Sequence, residues 1–322
     1  SSTEFSMKLY HLLENHTLDA IHIEGLEMTP YLRPISDYYS NKTNRPMIIY
    51  DAHNAETVIQ SRAISTDILE PKHWLTAFYS MIQLRRIKKL ELEACSRSDA
   101  VICVSDEDSI SLKNIFPGLN PVVLPNGIFL SDYPELIQRA KIDPPVLIFS
   151  GKMDYRPNID AVVWFAKKIF PSIKQLHNEA KFLIVGKAPT RRVLKLAKQP
   201  GITITGAVDD IRPYIAAATV CVVPLRMGGG TRFKILEAMA LSRPIVSTTI
   251  GAEGFPVTNG KEIIIADCSE DQIRAINSLL CQKHTRVQLG KAGRTLVSNK
   301  YQWKTIVSSM KDVYSLLLNN TN

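Results

Sequence analysis

Long apolar runs are missing from this sequence. The nearest approach, residues 214–225, is interrupted by Thr219 and Pro224 and falls well short of the roughly 18 residues that cross a bilayer, so no segment reads as a transmembrane helix. The first residues, SSTEFSMKLYHLLENH, include Glu4 and no apolar core, which is not the pattern of a secretory signal. They begin with Ser1 rather than Met, and the start of the chain is expected to be missing. Cysteines number only five (Cys95, Cys103, Cys221, Cys268, Cys281), widely spaced, with no CxxC pair and no histidines grouped beside them. That argues against a zinc site or a disulfide framework and for buried thiols in a reducing cytoplasm. The remaining histidines, His11, His16, His22, His73, His177 and His284, are scattered and form no metal-like cluster. Glycine and proline, 15 and 18 of 322 residues, lie far below the roughly 25% combined that marks disordered chains. No Gly-x-Ser-x-Gly elbow, Walker loop or HExxH occurs, so serine hydrolase, P-loop and zincin chemistries have no support.

What is present is an ordinary globular composition, 45% hydrophobic and 22% charged, over a length that fits about two domains. The net charge of +8 suits acidic partners: nucleotide phosphates, anionic headgroups or nucleic acid. Apolar runs bounded by turn residues alternate with amphipathic stretches, the mark of a parallel α/β protein. Strands are expected at 20–24, 47–51, 100–104 and 122–124, with helices at 7–15, 74–96 and 106–115, the last capped by Ser105. Pro125-Asn126-Gly127 and the proline-containing stretch to Pro144-Pro145 read as a linker. This gives a first domain over residues 1–144 and a second over 145–322. In the second, strands at 146–150, 181–185, 202–205, 220–224 and 245–248 alternate with helices, among them 159–173 and 233–240, in a complete doubly wound pattern, and a short strand is expected at 262–265. The last helix, 303–318, is placed to pack back on the first domain.

Three segments could carry chemistry. Met227-Gly228-Gly229-Gly230-Thr231-Arg232-Phe233-Lys234, between a strand and a helix, brings backbone and a helix N-terminus to one point, a cradle for phosphate or another anion. Arg232 and Lys234 add full charges, and Glu237 lies one turn on, where a carboxylate accepts hydrogen bonds from ribose hydroxyls. The alternative is a flexible surface loop with solvated charges; the position at the carboxyl end of a parallel strand weighs against it. The loop 151–158 ends another strand and offers Lys152 and Arg156. Alone these are a solvated turn; with Arg232 and Lys234 they make four cations at one sheet edge, which fits a diphosphate. In the third segment, 50–56, His53 ends a first-domain strand and either hydrogen-bonds a substrate hydroxyl or is a structural histidine.

The ordered runs DAHNAE, VICVSDED, VVLPNGI, FSGKMDYRPNIDAV, FLIVGKAP, ITGAVDDIRPYIAAATVCVVPL and GGGTRFKILEAMALSRPIVSTTIGAEG together resemble glycosyltransferase family 4, retaining nucleotide-sugar transferases of GT-B fold. The resemblance covers nearly the whole chain. It implies two Rossmann-like doubly wound domains facing across a cleft, with the donor held by the second and the acceptor by the first. It also implies a UDP- or GDP-linked donor, no metal and no cofactor. Lys152 and Arg156 take the place of the basic pair on the diphosphate, in the reverse of the family's usual order. Val208 would touch the base through its backbone, and His53 would lie beside the transferred sugar. Glu237 matches the second carboxylate of the family's Glu-x7-Glu motif, while the first falls on Gly229, so sugar contacts would come from the backbone of Gly229, Gly230 and Thr231.

The implied reaction transfers a sugar, with retention, to a hydroxyl of a glycan or lipid-linked glycan. The family's opening strand and glycine-rich loop have no counterpart here, so the first domain is incomplete, as a fragment or completed by a separate polypeptide. Two readings follow: an active transferase, or a nucleotide-sugar-binding subunit of a split or inactive one. Nucleic-acid binding lacks any aromatic-basic interleaving. The helix bearing Arg85, Arg86, Lys88 and Lys89 beside Leu84, Ile87 and Leu90 either lies on anionic lipid at the inner face of the membrane or is a packed helix with a solvated basic edge.

Overall fold

The computed structural model describes residues 2–68 and 74–319; His73 lies outside them. The chain divides into two compact units, one formed by Ser1–Pro125 with Val307–Asn322 and the other by Asn126–Ile306.

In the first unit four parallel strands, β1 (Ala20–Glu24), β2 (Met47–Ala52), β3 (Ala100–Cys103) and β4 (Val122–Val123), lie side by side in chain order. Helices α1 (Thr3–Asn15), α2 (Leu32–Tyr39), α3 (Glu56–Ile68), α4 (Trp74–Arg97) and α5 (Asp106–Ile115) surround them in sequence. Strand β2 is buried on both faces through Met47, Ile48, Ile49 and Tyr50, as a covered parallel strand requires. Ser105 caps α5 as its sequence indicates, its hydroxyl accepting from the Asp108 N–H at 3.1 Å. The short α2 and the 3-10 turn Leu26–Tyr31 before it are not foreseen by the sequence reading. Pro30 lies inside the turn and Pro34 inside α2, and two prolines so close together read as punctuation rather than as helix.

The second unit holds six parallel strands: β5 (Val146–Ser150), β6 (Lys181–Val185), β7 (Ile202–Gly206), β8 (Val220–Val223), β9 (Ile245–Ser247) and β10 (Ile264–Ile265). Their spatial order is β10-β9-β8-β5-β6-β7, the doubly wound arrangement, and its direction reverses between β5 and β8. Every residue of β5 and β8 is buried. The helices are α6 (Arg156–Trp164), α7 (Phe170–Leu176), α8 (Arg191–Leu194), α9 (Arg212–Ala217), α10 (Phe233–Ala240), α11 (Thr249–Ala252), α12 (Ser269–Cys281) and α13 (Lys283–Lys300). A single helix expected over 159–173 is instead α6 and α7 joined by a π turn at Phe165–Ile169.

Two expectations are corrected. The boundary falls after Pro125, not after residue 144, because the intervening segment packs into the second core. Ile128, 2% exposed, donates its N–H to the Tyr301 carbonyl at 2.7 Å, and Tyr133 is buried in the same cluster. Burial of two large apolar side chains outweighs the punctuation of Asn-Gly and Pro-Pro. In α14 (Trp303–Asn319) the chain leaves the second unit, and Tyr314 packs beside Ala20 and Leu124 of the first, its hydroxyl 2.8 Å from Nδ1 of His22. The thiols divide: Cys95, Cys103 and Cys221 are buried, whereas Cys268 and Cys281 are exposed. The last two sit at the N-cap and final residue of α12, where a helix end meets solvent.

Candidate functional site

In an open parallel sheet, the loops leaving two strands on either side of the reversal part company and leave a crevice at the carboxyl ends. Here those strands are β5 and β8, and the crevice is a pocket of about 290 Å³, near the roughly 300 Å³ lower limit of ligand sites. One wall is the loop after β5, with Gly151, Tyr155 and Asn158; the other is the glycine loop after β8 and the start of α10. Arg226 ties the walls together, its Nε and Nη2 donating to the Asp160 carboxylate at 2.9 and 2.5 Å. The β5 loop itself is fixed by a close approach. Gly186, at φ +152°, lies so near the Gly151 carbonyl that an added Cβ would stand 1.7 Å from its oxygen.

Of the residues singled out from the sequence, Gly228, Gly229, Thr231, Arg232, Lys234 and Glu237 line this pocket. Gly228 has φ +116°, a conformation that favours glycine. The glycine loop is braced from within: Arg232, 8% exposed, donates through Nη1 to the carbonyls of Gly229 and Gly230 and through Nη2 to Ile250 at 3.5 Å. It therefore shapes the loop besides lining the pocket. Arg232 stands at the N-cap of α10 and makes no side-chain cap, so the first turn of that helix presents its N–H groups without a side-chain acceptor. The Thr231 hydroxyl is buried with no hydrogen-bond partner among the described residues.

Lys234 was expected to bring a full charge, and burial alters that. Its ammonium donates to Oδ1 of Asn158 at 2.9 Å and lies 3.8 Å from the centre of the Phe149 ring. Burial, reinforced by the Arg232 charge and opposed by Glu237, pulls its pKa down to about 7. Asn158 is in turn held by donation to the Lys152 carbonyl at 2.9 Å. Burial also raises the Glu237 carboxyl above the usual range, against the opposing pull of the Tyr133 hydroxyl and Lys234. That hydroxyl donates to Oε1 at 3.2 Å.

The other residues singled out lie outside the pocket lining. Lys152 is exposed and paired with Asp154 at 3.2 Å, and Arg156 opens α6 on the surface. Gly230 and Val208 do not line it, Val208 packing on the hydrophobic core. The proposed four-cation edge is thus two cations on the pocket wall and two on exposed positions at the same strand end. His53 belongs to the first unit, exposed just beyond β2. Phe149, Asn158 and Tyr133 escaped the sequence reading. Asn158 carried a signal, closing the strand-end loop 151–158; Tyr133 carried none, being 104 residues from its partner.

A larger cavity, about 460 Å³, opens in the first unit and is lined in part by Lys42, Arg45, Arg97 and Asp99. Its cations are already engaged: Arg45 with Asp99 at 2.9 and 2.6 Å, Arg97 with Glu93 at 3.2 Å, and Lys42 over the Tyr38 ring at 3.3 Å. Among the described residues no group of three or more His, Cys, Asp or Glu is placed to hold a metal ion, and no helix is long and apolar enough to cross a membrane.

Residues 144–282 match the model of the family described as glycosyl transferases group 1. The matched segment lies within the second unit. The pocket lies within this segment. A phosphatidyl-myo-inositol mannosyltransferase of Propionibacterium freudenreichii is 24% identical over 251 residues, 75% of this chain and 62% of that one. A GDP-mannose-dependent alpha-(1-6)-phosphatidylinositol monomannoside mannosyltransferase of Mycobacterium tuberculosis is 27% identical over 239 residues, 67% of this chain and 61% of that one. The chain therefore spans about three fifths of the length of these relatives. Among solved structures, sucrose-phosphate synthase from Thermosynechococcus elongatus aligns with a TM-score of 0.72 at 18% identity, covering 98% of this chain and 78% of that one. Anabaena Alr3699/HepE in complex with UDP and glucose aligns at 0.70 with 16% identity, covering 97% and 81%. The fold is GT-B, shared with these structures.

Proposed function

We propose that this chain carries the donor side of a retaining glycosyltransferase of family 4, moving a sugar from a UDP- or GDP-linked donor to a hydroxyl of a glycan or lipid-linked acceptor. One observation carries the reading: at the reversal of a doubly wound sheet, the half-buried side chains of Lys234 and Glu237 share one pocket with a glycine loop and an uncapped helix N-terminus. Lys234 and the N–H groups of α10 meet the diphosphate, and Glu237 accepts from the ribose hydroxyls. The names of two relatives, both inositol-lipid mannosyltransferases, support a lipid-linked acceptor, and the UDP complex of the solved neighbour supports a nucleotide donor.

Transfer with retention needs no side-chain nucleophile in this scheme. The bond from the sugar's anomeric carbon to the diphosphate oxygen breaks, its electron pair leaving with the diphosphate, as the acceptor hydroxyl bonds to that carbon on the same face and passes its proton to the departing diphosphate oxygen. The leaving group's growing charge is met by the N–H groups of α10 and by Lys234, already in place before the donor binds. Lys152 and Arg156, on long exposed side chains at the same strand end, swing onto the diphosphate; Val208 offers its backbone to the base; His53 holds a sugar hydroxyl. The protein works at the inner face of the membrane from the cytoplasm, with the exposed Arg85, Arg86, Lys88 and Lys89 of α4 toward anionic lipid.

A second reading, a nucleotide-sugar-binding subunit that depends on another chain, is favoured by Gly229 standing where the family's first carboxylate belongs. Thermal denaturation with UDP, GDP and their hexose conjugates tests the binding common to both readings, since a bound donor stabilises by mass action. Release of free nucleotide diphosphate from a stabilising donor on adding a lipid-linked acceptor supports the transferase. Stabilisation without release supports the binding subunit, and no stabilisation by any of them refutes both.

A further inference from the structure

Glu237 is the pocket residue whose geometry depends most on a distant part of the chain. Its Oε1 accepts from the Tyr133 hydroxyl at 3.2 Å, and that is the hydrogen bond the carboxylate makes among the described residues. Oε2 is left for a ligand in the pocket that Glu237 lines. Tyr133 in turn is held at its backbone from two directions. Arg294 of α13 donates to the Tyr133 carbonyl at 3.0 Å, and Arg212 of α9 donates to the neighbouring Asp132 carbonyl at 2.7 Å. The ring itself is 9% exposed, packed in the core of the second unit. A carboxylate on a flexible side chain, half-buried and aimed into a pocket, is thereby fixed by a phenol that does not line that pocket.

We propose that Tyr133 is a positioning residue for ribose recognition: its hydroxyl locks one oxygen of Glu237 so that the other meets a ribose hydroxyl of the bound nucleotide. The inference rests on the donor-binding reading above. A group fixed before binding loses less freedom on binding, so the bond to the ribose is worth more with the phenol in place than without it. The contribution is specific to the sugar hydroxyls. Contacts to the base and the diphosphate do not pass through Tyr133, and a nucleotide lacking the hydroxyls gains nothing from its presence.

The test compares UDP and GDP with their 2′,3′-dideoxy counterparts, binding measured calorimetrically to the wild-type chain and to Tyr133→Phe. Phenylalanine keeps the ring and its packing and removes only the hydroxyl. The wild type is expected to favour the tighter ribonucleotide over its dideoxy form by about ten-fold, the scale of a hydrogen bond to a charged group. Tyr133→Phe is expected to bind that ribonucleotide about five-fold more weakly and its dideoxy form within about two-fold of wild type, so that the preference shrinks. Equal weakening of both nucleotides assigns Tyr133 a packing role and overturns the proposal, as does an unchanged preference. Should Tyr133→Phe fail to fold, Arg294→Lys loosens the same tyrosine from its carbonyl side; a reduced preference there supports the proposal and an unchanged one overturns it. If the wild type binds neither UDP nor GDP, the donor reading itself fails; if it binds one and the preference ignores Tyr133, only the positioning role fails.

Discussion

The larger of the two cavities is the less equipped to bind a charged ligand. In the first unit, about 460 Å³ of space is bordered by cations that each have a partner already, Arg45 in a two-pronged pair with Asp99. In the second unit, about 290 Å³ is bordered by a buried threonine hydroxyl with no partner among the described residues, a carboxylate with one oxygen engaged, and an ammonium held short of full charge by burial. Topology explains the difference. The first sheet runs β1 to β4 in order, without a reversal among the described strands, whereas the second reverses between β5 and β8 and so opens a crevice where loops diverge. What marks a site is buried polar chemistry left incomplete, because desolvating a polar group has a cost that only a ligand then offsets.

The comparison can be broken most forcefully through the backbone. Gly186→Ala would set a methyl against the Gly151 carbonyl at a positive φ, and a loss of about 3 kcal/mol or more in denaturant stability is expected. Gly118→Ala, in the first unit, meets nothing within 4 Å and bears only the cost of its φ of +93°, about 1 kcal/mol. Equal losses in the two variants would show that the close approach is not what fixes the β5 loop.

Next in size is the contrast between cations. Lys234→Met keeps the apolar contact with Phe149 and removes the ammonium, so the affinity for UDP or GDP should fall about 100-fold with the melting temperature retained or raised. Lys42→Met in the first cavity should leave that affinity within about two-fold. Calorimetry of the two variants side by side checks both statements.

The titration of Lys234 gives a third handle. Free, it loses its proton near pH 7; beside a bound diphosphate the charged form is favoured. Nucleotide binding above pH 7 should therefore take up a proton, seen as a binding enthalpy that varies with the buffer's ionisation enthalpy, and affinity should fall as pH rises from 7 to 9. Lys234→Met should abolish the proton uptake. A smaller effect is expected in the first unit. At Asp99 the effect of burial is outweighed by Arg45 and the Ile48 N–H, so its carboxyl lies below the usual range. It stabilises the fold at neutral pH and loses that contribution as pH falls through its lowered value. Asp99→Asn should cost about 1 kcal/mol at pH 7 and leave nucleotide affinity unchanged.

Much of the layout was legible along the chain. Strands 20–24, 146–150 and 181–185 and the helix from Phe233 coincide with the observed elements, because uninterrupted runs such as Val146-Leu147-Ile148-Phe149 admit few other burials. The glycine loop and Glu237 were legible for a related reason: a strand, three glycines and a helix fix their own geometry locally. The division of the chain was not. Asn-Gly and Pro-Pro marked a linker at 126–144, yet whether Ile128 and Tyr133 stay in solvent depends on a core built from residues far along the chain.

By itself, then, the sequence determined the alternation of strands and helices, the glycine loop between β8 and α10 and the identity of the groups beside it, all of which follow from residue type and short spacing. Only the tertiary structure decided their states. Burial, which no spacing records, left Lys234 short of full charge at pH 7, turned Arg232 onto its own loop, left Lys152 and Arg156 on exposed positions, and brought Tyr133 to Glu237. Charge and reach depend on how much water surrounds a group, and that is fixed only when the strands on either side of β5 and β8 have closed around it.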